Sequence, residues 1–333
     1  MTCSGGSGFS SLPWGRYPSI DKMISGILIF FQLLLSVGIV PHTPDITRTA
    51  SSIQSPADST VVILLGTGNP YPDPERQGPA TAVVIGNRVF LFDAGAGVMR
   101  QLRAANLPIS GVTALFVTHL HTDHTLGYPD LIFTSWVMRR TEPLQAYGPH
   151  GLQRMTDHIL AAWQEDIEVR TEGLEREVPD GYRVAVHEIA PGVVYDSAGV
   201  RVTAIPVKHG SWKEAYGFRV DTPDRSIVIS GDTAPSDELA KAAQNVDVLI
   251  HEAYPRTRVA PEDRPGGEVW PQYLKEFHTS DLELGQLAAK CRPKLLILSH
   301  IVSGKGAEEE IIKGIREGGY TGPIEIGRDL GRY

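Results

Sequence analysis

Cysteine is nearly absent: the 333 residues hold two, Cys3 and Cys291. That excludes a disulfide framework and a thiolate metal cage, so any metal site in this chain draws on nitrogen and oxygen. Positive charge is also short. Lys and Arg number 31 against 39 Asp and Glu, giving a formal charge of −8, and no Lys/Arg run marks a groove for a polyanion. No repeat with a period of roughly 20–50 residues is visible, which sets aside solenoids and propellers. Long apolar runs are lacking too, with one exception. Met23–Val40 is uncharged, follows Arg16 and Lys22, and gives way to a Ser/Thr/Pro-rich stretch. The pattern predicts an N-terminal region at 1–22, a signal-peptide core or membrane anchor at 23–40, and a linker over 41–60. It also predicts an exported protein, periplasmic or secreted, with 23–40 as a membrane tether if it is retained.

Beyond residue 60 the chain alternates short β runs with amphipathic helices. Val61–Leu65, Ala82–Ile85 and Val89–Phe92 read as strands, and 97–105, 126–140, 151–166 and 308–317 as helices. Interleaved without an evident break, they predict one layered α/β domain over 61–333. Four apolar runs stop just short of a potential ligand. Ala114–Val117 precedes His119, Ile205–Val207 precedes His209, Ile227–Ser230 precedes Asp232, and Leu295–Leu298 precedes His300. Such runs are what strands buried on both faces look like, and sites sit where the loops at their ends converge.

The densest cluster is "VTHLHTDHTLG", Val117–Gly127, with His119, His121, Asp123 and His124. A tight turn directs alternate imidazoles to one ion and the following carboxylate–imidazole pair to a neighbouring ion. Nitrogen and carboxylate donors without sulfur suit zinc, and also manganese or iron.

An ordered series of motifs surrounds this cluster: "LGTGNP" (Leu65–Pro70), "LFDAGAG" (Leu91–Gly97), "THLHTDH" (Thr118–His124), "YGPHG" (Tyr147–Gly151), "VKHG" (Val207–Gly210), "SGDT" (Ser230–Thr233), "HEA" (His251–Ala253), "HTS" (His278–Ser280) and "LSH" (Leu298–His300). The series resembles the metallo-β-lactamase superfamily, and within it the zinc phosphodiesterase branch that contains ribonuclease Z. The resemblance implies a four-layer αββα sandwich. It implies one zinc on His119, His121 and His209, a second on Asp123, His124 and His300, and Asp232 bridging them, with Asp93 orienting the histidine loop. It further implies hydrolysis by a hydroxide shared between the two metals, Asp123 receiving its proton. His278, partnered by Glu252, is then the candidate donor to the leaving alkoxide. The sequence adds a capping-box pattern, Ser280 to Glu283, which places His278 just ahead of a helix N-terminus.

The chain departs from ribonuclease Z at one point. There a long insertion, the arm that grips transfer RNA, precedes the "SGDT" motif; here only residues 221–229 separate Val220 from Ser230. With the acidic balance and the apparent export signal, this argues against transfer RNA, whose precursors are cytoplasmic, and for a small-molecule or extracellular ester. Arg76, Trp212 and Trp270 are candidate substrate contacts, the last on a stretch, Tyr254–Tyr273, that also carries Arg256 and Arg258. Alternatives on the same scaffold are an arylsulfatase, a lactonase or a β-lactamase-like enzyme, and behind these an iron-dependent oxidoreductase. The resemblance also implies a homodimer.

Overall fold

The computed structural model describes residues 59–302 and 306–333. Among the described residues thirteen strands form two sheets, each drawn from a continuous part of the chain. The first sheet holds β1 (Thr60–Gly66), β2 (Ala80–Ile85), β3 (Arg88–Phe92), β4 (Val112–Phe116), β5 (Leu144–Gly148) and β6 (Val184–Glu188), in that spatial order. The second holds β7 (Gly192–Ser197), β8 (Val200–Pro206), β9 (Tyr216–Asp221), β10 (Ser226–Ile229), β11 (Val248–Ala253), β12 (Leu295–Ile301) and β13 (Ile324–Ile326), also in order. β1–β2–β3 and β7–β8–β9–β10 pair antiparallel, and β3 through β6 and β10 through β13 pair parallel.

Alternation along the strands explains the layers. On β1, Val62 and Leu64 face the second sheet while Ile63 and Leu65 face outward. The outward side of the first sheet is covered by helices α1 (Val98–Ala104) and α3 (Tyr128–Val137), after the single turn α2 (Thr122–Thr125), and by α4 (Leu152–Ala162), with α5 (Gln164–Glu172) following. On the second sheet, Val228, Leu249, Leu296 and Leu298 point outward to α6 (Asp237–Ala242), α8 (Asp281–Cys291) and α9 (Glu308–Glu317), with α7 (Trp270–Phe277) nearer the rim. This is the four-layer αββα sandwich. Between the sheets Phe92 and Phe116 stack at 5.0 Å, and Phe218 meets them from the other sheet at 5.6 and 5.7 Å. Phe92 adjoins Asp93, and Phe116 leads into the histidine loop, so this aromatic contact is the floor of the site. Phe116→Ala should cost about 3–5 kcal/mol in denaturant unfolding of the metal-free protein.

Some sequence expectations shift. The helix expected over 151–166 is two, because Trp163 leaves helical geometry at φ −107°, ψ 18°. The stretch Tyr254–Tyr273, read as a framing loop, contains 3-10 turns at Arg256–Arg258 and Gly267–Val269 and runs into α7, whose first turn contains Pro271, where proline costs nothing. The apolar run 23–40 lies outside the described residues, and among the described residues no helix is long and apolar enough to cross a membrane.

Candidate metal centre

β3, β4, β8, β10, β11 and β12 all end at one rim, since each runs in the same direction within its sheet. The loops leaving that rim carry Asp93, the 119–124 histidine turn, His209, Asp232, Glu252 and His300. Two of these residues are held in left-handed backbone that side chains rarely adopt: Asp93 at φ 59° and His300 at φ 51°. Each is pinned by its own amide, Asp93 to the Phe116 carbonyl at 2.8 Å and His300 to the Thr67 carbonyl at 3.2 Å. Strain of this kind gathers at functional sites. Beside Asp232, Gly231 sits at φ 59°, and a Cβ there would lie 2.7 Å from the Tyr216 carbonyl oxygen and 3.0 Å from the Thr118 Cβ. Only glycine lets the two sheets close at that point.

The donors fall into two groups. His119 Nε2, His121 Nδ1 and His209 Nε2 converge, at 2.9 Å between the first two and 3.1 Å between the last two, with Asp232 Oδ2 3.9 Å from both His119 and His209. On the other side Asp123 Oδ2 lies 3.1 Å from His300 Nε2 and 3.5 Å from His124 Nε2. Asp232 stands between the groups, with Oδ1 3.4 Å from His124 and Oδ2 3.5 Å from His300. Within each group the donor atoms all lie within 4.8 Å of one another.

Three of the rings are held from behind. His209 Nδ1–H donates to the Phe277 carbonyl at 2.7 Å, which leaves Nε2 as a lone pair aimed inward. Asp93 Oδ2 takes His124 Nδ1 at 2.8 Å, and its carboxylate also accepts from the Thr118 amide at 2.8 Å and the Thr118 hydroxyl. Thr118 Oγ1 in turn touches His119 Nδ1 at 3.0 Å. One carboxylate thus fixes rings from both groups. Removing such a support typically costs about 10–100-fold in metal affinity, so Asp93→Ala should weaken metal binding by that factor in a chelator competition.

Charge follows the same division. Burial, reinforced by neighbouring imidazoles, holds His119 well below its ordinary pKa, burial lowers His121, and burial lowers His209 to about 4. Burial also disfavours charge on His124, but Asp232 and Asp93 outweigh it and raise its pKa well above the ordinary value; His300 is raised by Asp232 and Asp123 against the same burial. Burial would raise Asp232, yet His300 and His124 hold it far down. Cations are therefore favoured between the carboxylates, and burial keeps the imidazoles uncharged on the histidine side. The residues fit metal ions. His124 Nε2 and Asp232 Oδ1 are buried and have no hydrogen-bond partner among the described residues although they meet at 3.4 Å, and nitrogen–oxygen sets of this kind bind divalent cations.

The centre opens into a cleft of about 890 Å³ whose walls include His121, Asp123, Asp232, His278 and His300. His278 lies between two partners: Nδ1 is 3.2 Å from Glu252 Oε1 and Nε2 is 3.4 Å from the Tyr273 hydroxyl. Glu252 Oε1 also accepts from the amides of Thr233 and Thr279 at 3.2 and 3.0 Å. Burial lowers His278 to about 4, while burial and then the charge of Asp232 push Glu252 well above the carboxyl range. Ser280 and Glu283 form the reciprocal capping box of α8, two residues beyond His278.

Of the expected substrate contacts, Arg76 and Trp270 line the cleft. Arg76 donates to Thr67 Oγ1 at 2.9 Å and the Gly327 carbonyl at 3.1 Å. Trp212 is not among the cleft walls: its Nε1–H donates to His121 Nε2 at 2.8 Å and its ring lies edge-on to that histidine, so it covers the metal centre from the side. Arg256 turns away to Glu317, whereas Arg258 stays on the cleft wall. Sequence reasoning missed Asp329, which accepts from the amides of Thr67 and Gln77 at 2.9 and 2.7 Å and so holds the loop beside the site. Its place near the C-terminus, with no motif around it, gave no signal.

The family described as the beta-lactamase superfamily domain matches residues 88–301. This chain belongs to the beta-lactamase superfamily. Within it the chain belongs to the ribonuclease Z-like branch. Ribonuclease Z from Mycobacterium sp. (strain KMS) is 36% identical over 288 residues, covering 81% of this chain and 94% of that protein. Ribonuclease Z from Mycobacterium marinum is 33% identical over 289 residues, covering 81% and 97%. Among solved structures, a metallo-beta-lactamase fold protein from Bacillus subtilis superposes with a TM-score of 0.63 at 18% identity, covering 83% of this chain and 99% of that one. The short form of human tRNase Z gives 0.61 at 24%, covering 82% and 98%. The chain is accordingly an enzyme of this superfamily, a metal-dependent hydrolase.

Two expectations change with these relatives. Export, the signal peptide and the membrane tether are corrected: the relatives, matched over almost their whole length, are ribonuclease Z proteins. The short link before "SGDT" also loses its force against RNA, because a chain with that link matches a ribonuclease Z over 94% of its length.

Proposed function

We propose that the chain is a binuclear zinc phosphodiesterase, with RNA as the first substrate class to test. The observation that carries this is Asp232, whose two oxygens stand within 3.4–3.9 Å of histidine nitrogens from both groups. Such a carboxylate suits a bridge between two cations. His119, His121 and His209 would hold one, Asp123, His124 and His300 the other. Two zinc ions there would supply Lewis acidity toward a phosphoryl oxygen and a nucleophilic water near neutral pH.

The chain's own residues do the rest. Asp123 faces the cleft beside His300 and is the acceptor for the proton of the attacking water. His278 Nδ1 and Glu252 Oε1 meet at 3.2 Å and share a proton in this reading; with it on His278, that ring donates from Nε2 to the departing oxygen. Tyr273 fixes the tilt of that ring through its hydroxyl. Arg76, Arg258 and Trp270 on the cleft wall are proposed to frame the substrate.

Hydrolysis of bis(p-nitrophenyl) phosphate and of a precursor transfer RNA, each with zinc stripped and restored, tests the reading. Activity on both that returns with zinc supports it; cleavage of p-nitrophenyl sulfate, a lactone or a cephalosporin with no phosphodiesterase activity would sink it. A polyanionic substrate adds its own sign, a kcat/KM that falls steeply with salt. The homodimer is proposed on the same footing and is read by light scattering.

A further inference from the structure

Beside the metal centre, three buried polar atoms remain after the cation positions and the His278 contact are accounted for. Glu252 Oε2, His300 Nδ1 and His251 Nε2 have no hydrogen-bond partner among the described residues. All three residues line a single cavity of about 40 Å³ that adjoins Asp232. Their chemistry is complementary. His300 turns Nε2 toward Asp123 and Asp232, so with a cation there its proton sits on Nδ1 and needs an acceptor. His251 Nδ1–H donates to the Glu252 carbonyl at 2.7 Å, which leaves Nε2 a bare acceptor. With the shared proton on His278, Glu252 Oε2 is a second acceptor, its other oxygen being occupied by His278 and two amides. A water needs roughly 10–15 Å³ and two to four polar partners. One donor and two acceptors around this cavity meet both conditions.

We propose that Glu252 is a positioning residue for the metal centre, receiving the hydrogen bond of His300 Nδ1 through a water in this cavity, so that one carboxyl group orients both a metal ligand and the His278 ring. Ligating histidines depend on such partners for ring orientation and basicity. The arrangement ties the proton donor and one cation site to the same side chain. It rests on the two-zinc reading above.

The test is a zinc titration against a chromophoric chelator on wild type, Glu252→Leu, Glu252→Gln and His278→Ala. One of the two zinc ions should bind about 10–100-fold more weakly in Glu252→Leu. It should stay within roughly threefold of wild type in Glu252→Gln, which keeps a polar group on the water, and in His278→Ala. Unchanged affinity in Glu252→Leu overturns the inference and leaves the two-zinc reading intact. Equal losses in Glu252→Leu and His278→Ala overturn it as well, since Glu252 would then act through His278. Fewer than two zinc ions on wild type overturns the two-zinc reading itself, and this inference with it. If Glu252→Leu does not fold, a high-resolution crystal structure of wild type decides: a water within hydrogen-bond distance of His300 Nδ1 and Glu252 Oε2 upholds the proposal, and a dry cavity ends it.

Discussion

Asp232→Ala should reduce zinc uptake below two ions per chain and lower kcat by roughly 10³-fold or more, in line with the several kcal/mol that a metal pair contributes to charge stabilisation in the transition state. The size follows from position. Asp232 lies within 4 Å of His119, His124, His209 and His300 together, so its loss weakens both groups. Buried imidazoles on either side would then face each other without the intervening negative charge, and the metal-free protein should also lose stability. Metal analysis and phosphodiesterase rates on one preparation check both effects. Full zinc occupancy with full activity in this variant would remove the bridging role.

His278→Ala should leave zinc content unchanged and cut the rate by about 10²–10⁴-fold on an ester with a poor alkoxide leaving group. On p-nitrophenyl esters the loss should be far smaller, roughly tenfold or less, because that anion departs without a proton. The difference between the substrates is the diagnostic quantity. A group that merely supports the fold would depress both alike. Glu252→Gln should follow His278→Ala in this split, since an amide opposite Nδ1 no longer shares a proton with the ring.

The site was more legible in the sequence than the fold that carries it. His119, His121, Asp123 and His124 fall on one turn, so their spacing alone announces convergence. Asp232, His209 and His300 follow strands whose faces are both covered, and unbroken apolar runs mark those strands. What escaped was structure with no run to mark it. β5, Leu-Gln-Ala-Tyr-Gly, and β7, Gly-Val-Val-Tyr-Asp-Ser, mix polar and apolar residues because one face is only half covered. α7 hides among prolines and charges, its burial resting chiefly on Leu274. Contacts formed at right angles to the chain were equally silent: nothing in the spacing places Trp212 on His121, and Tyr273 reaches His278 only because α7 ends between them. The N-terminal apolar run misled in the other direction, its composition suggesting an export that the match to ribonuclease Z proteins does not support.

The two sheets are built in sequence, and the chain passes from one to the other at residues 189–191; the C-terminal tail alone comes back, pairing Tyr333 with Val62. A backbone cut between Ala190 and Pro191 would therefore yield two pieces, each owning an entire sheet. His119, His121, Asp123 and His124 go with one, His209, Asp232 and His300 with the other, and neither piece carries the whole of either proposed ligand set, although Asp232, His278 and His300 stay together on the second. Only rejoined halves would restore both sets, which makes uptake of the full metal complement a reporter of complementation in a split enzyme.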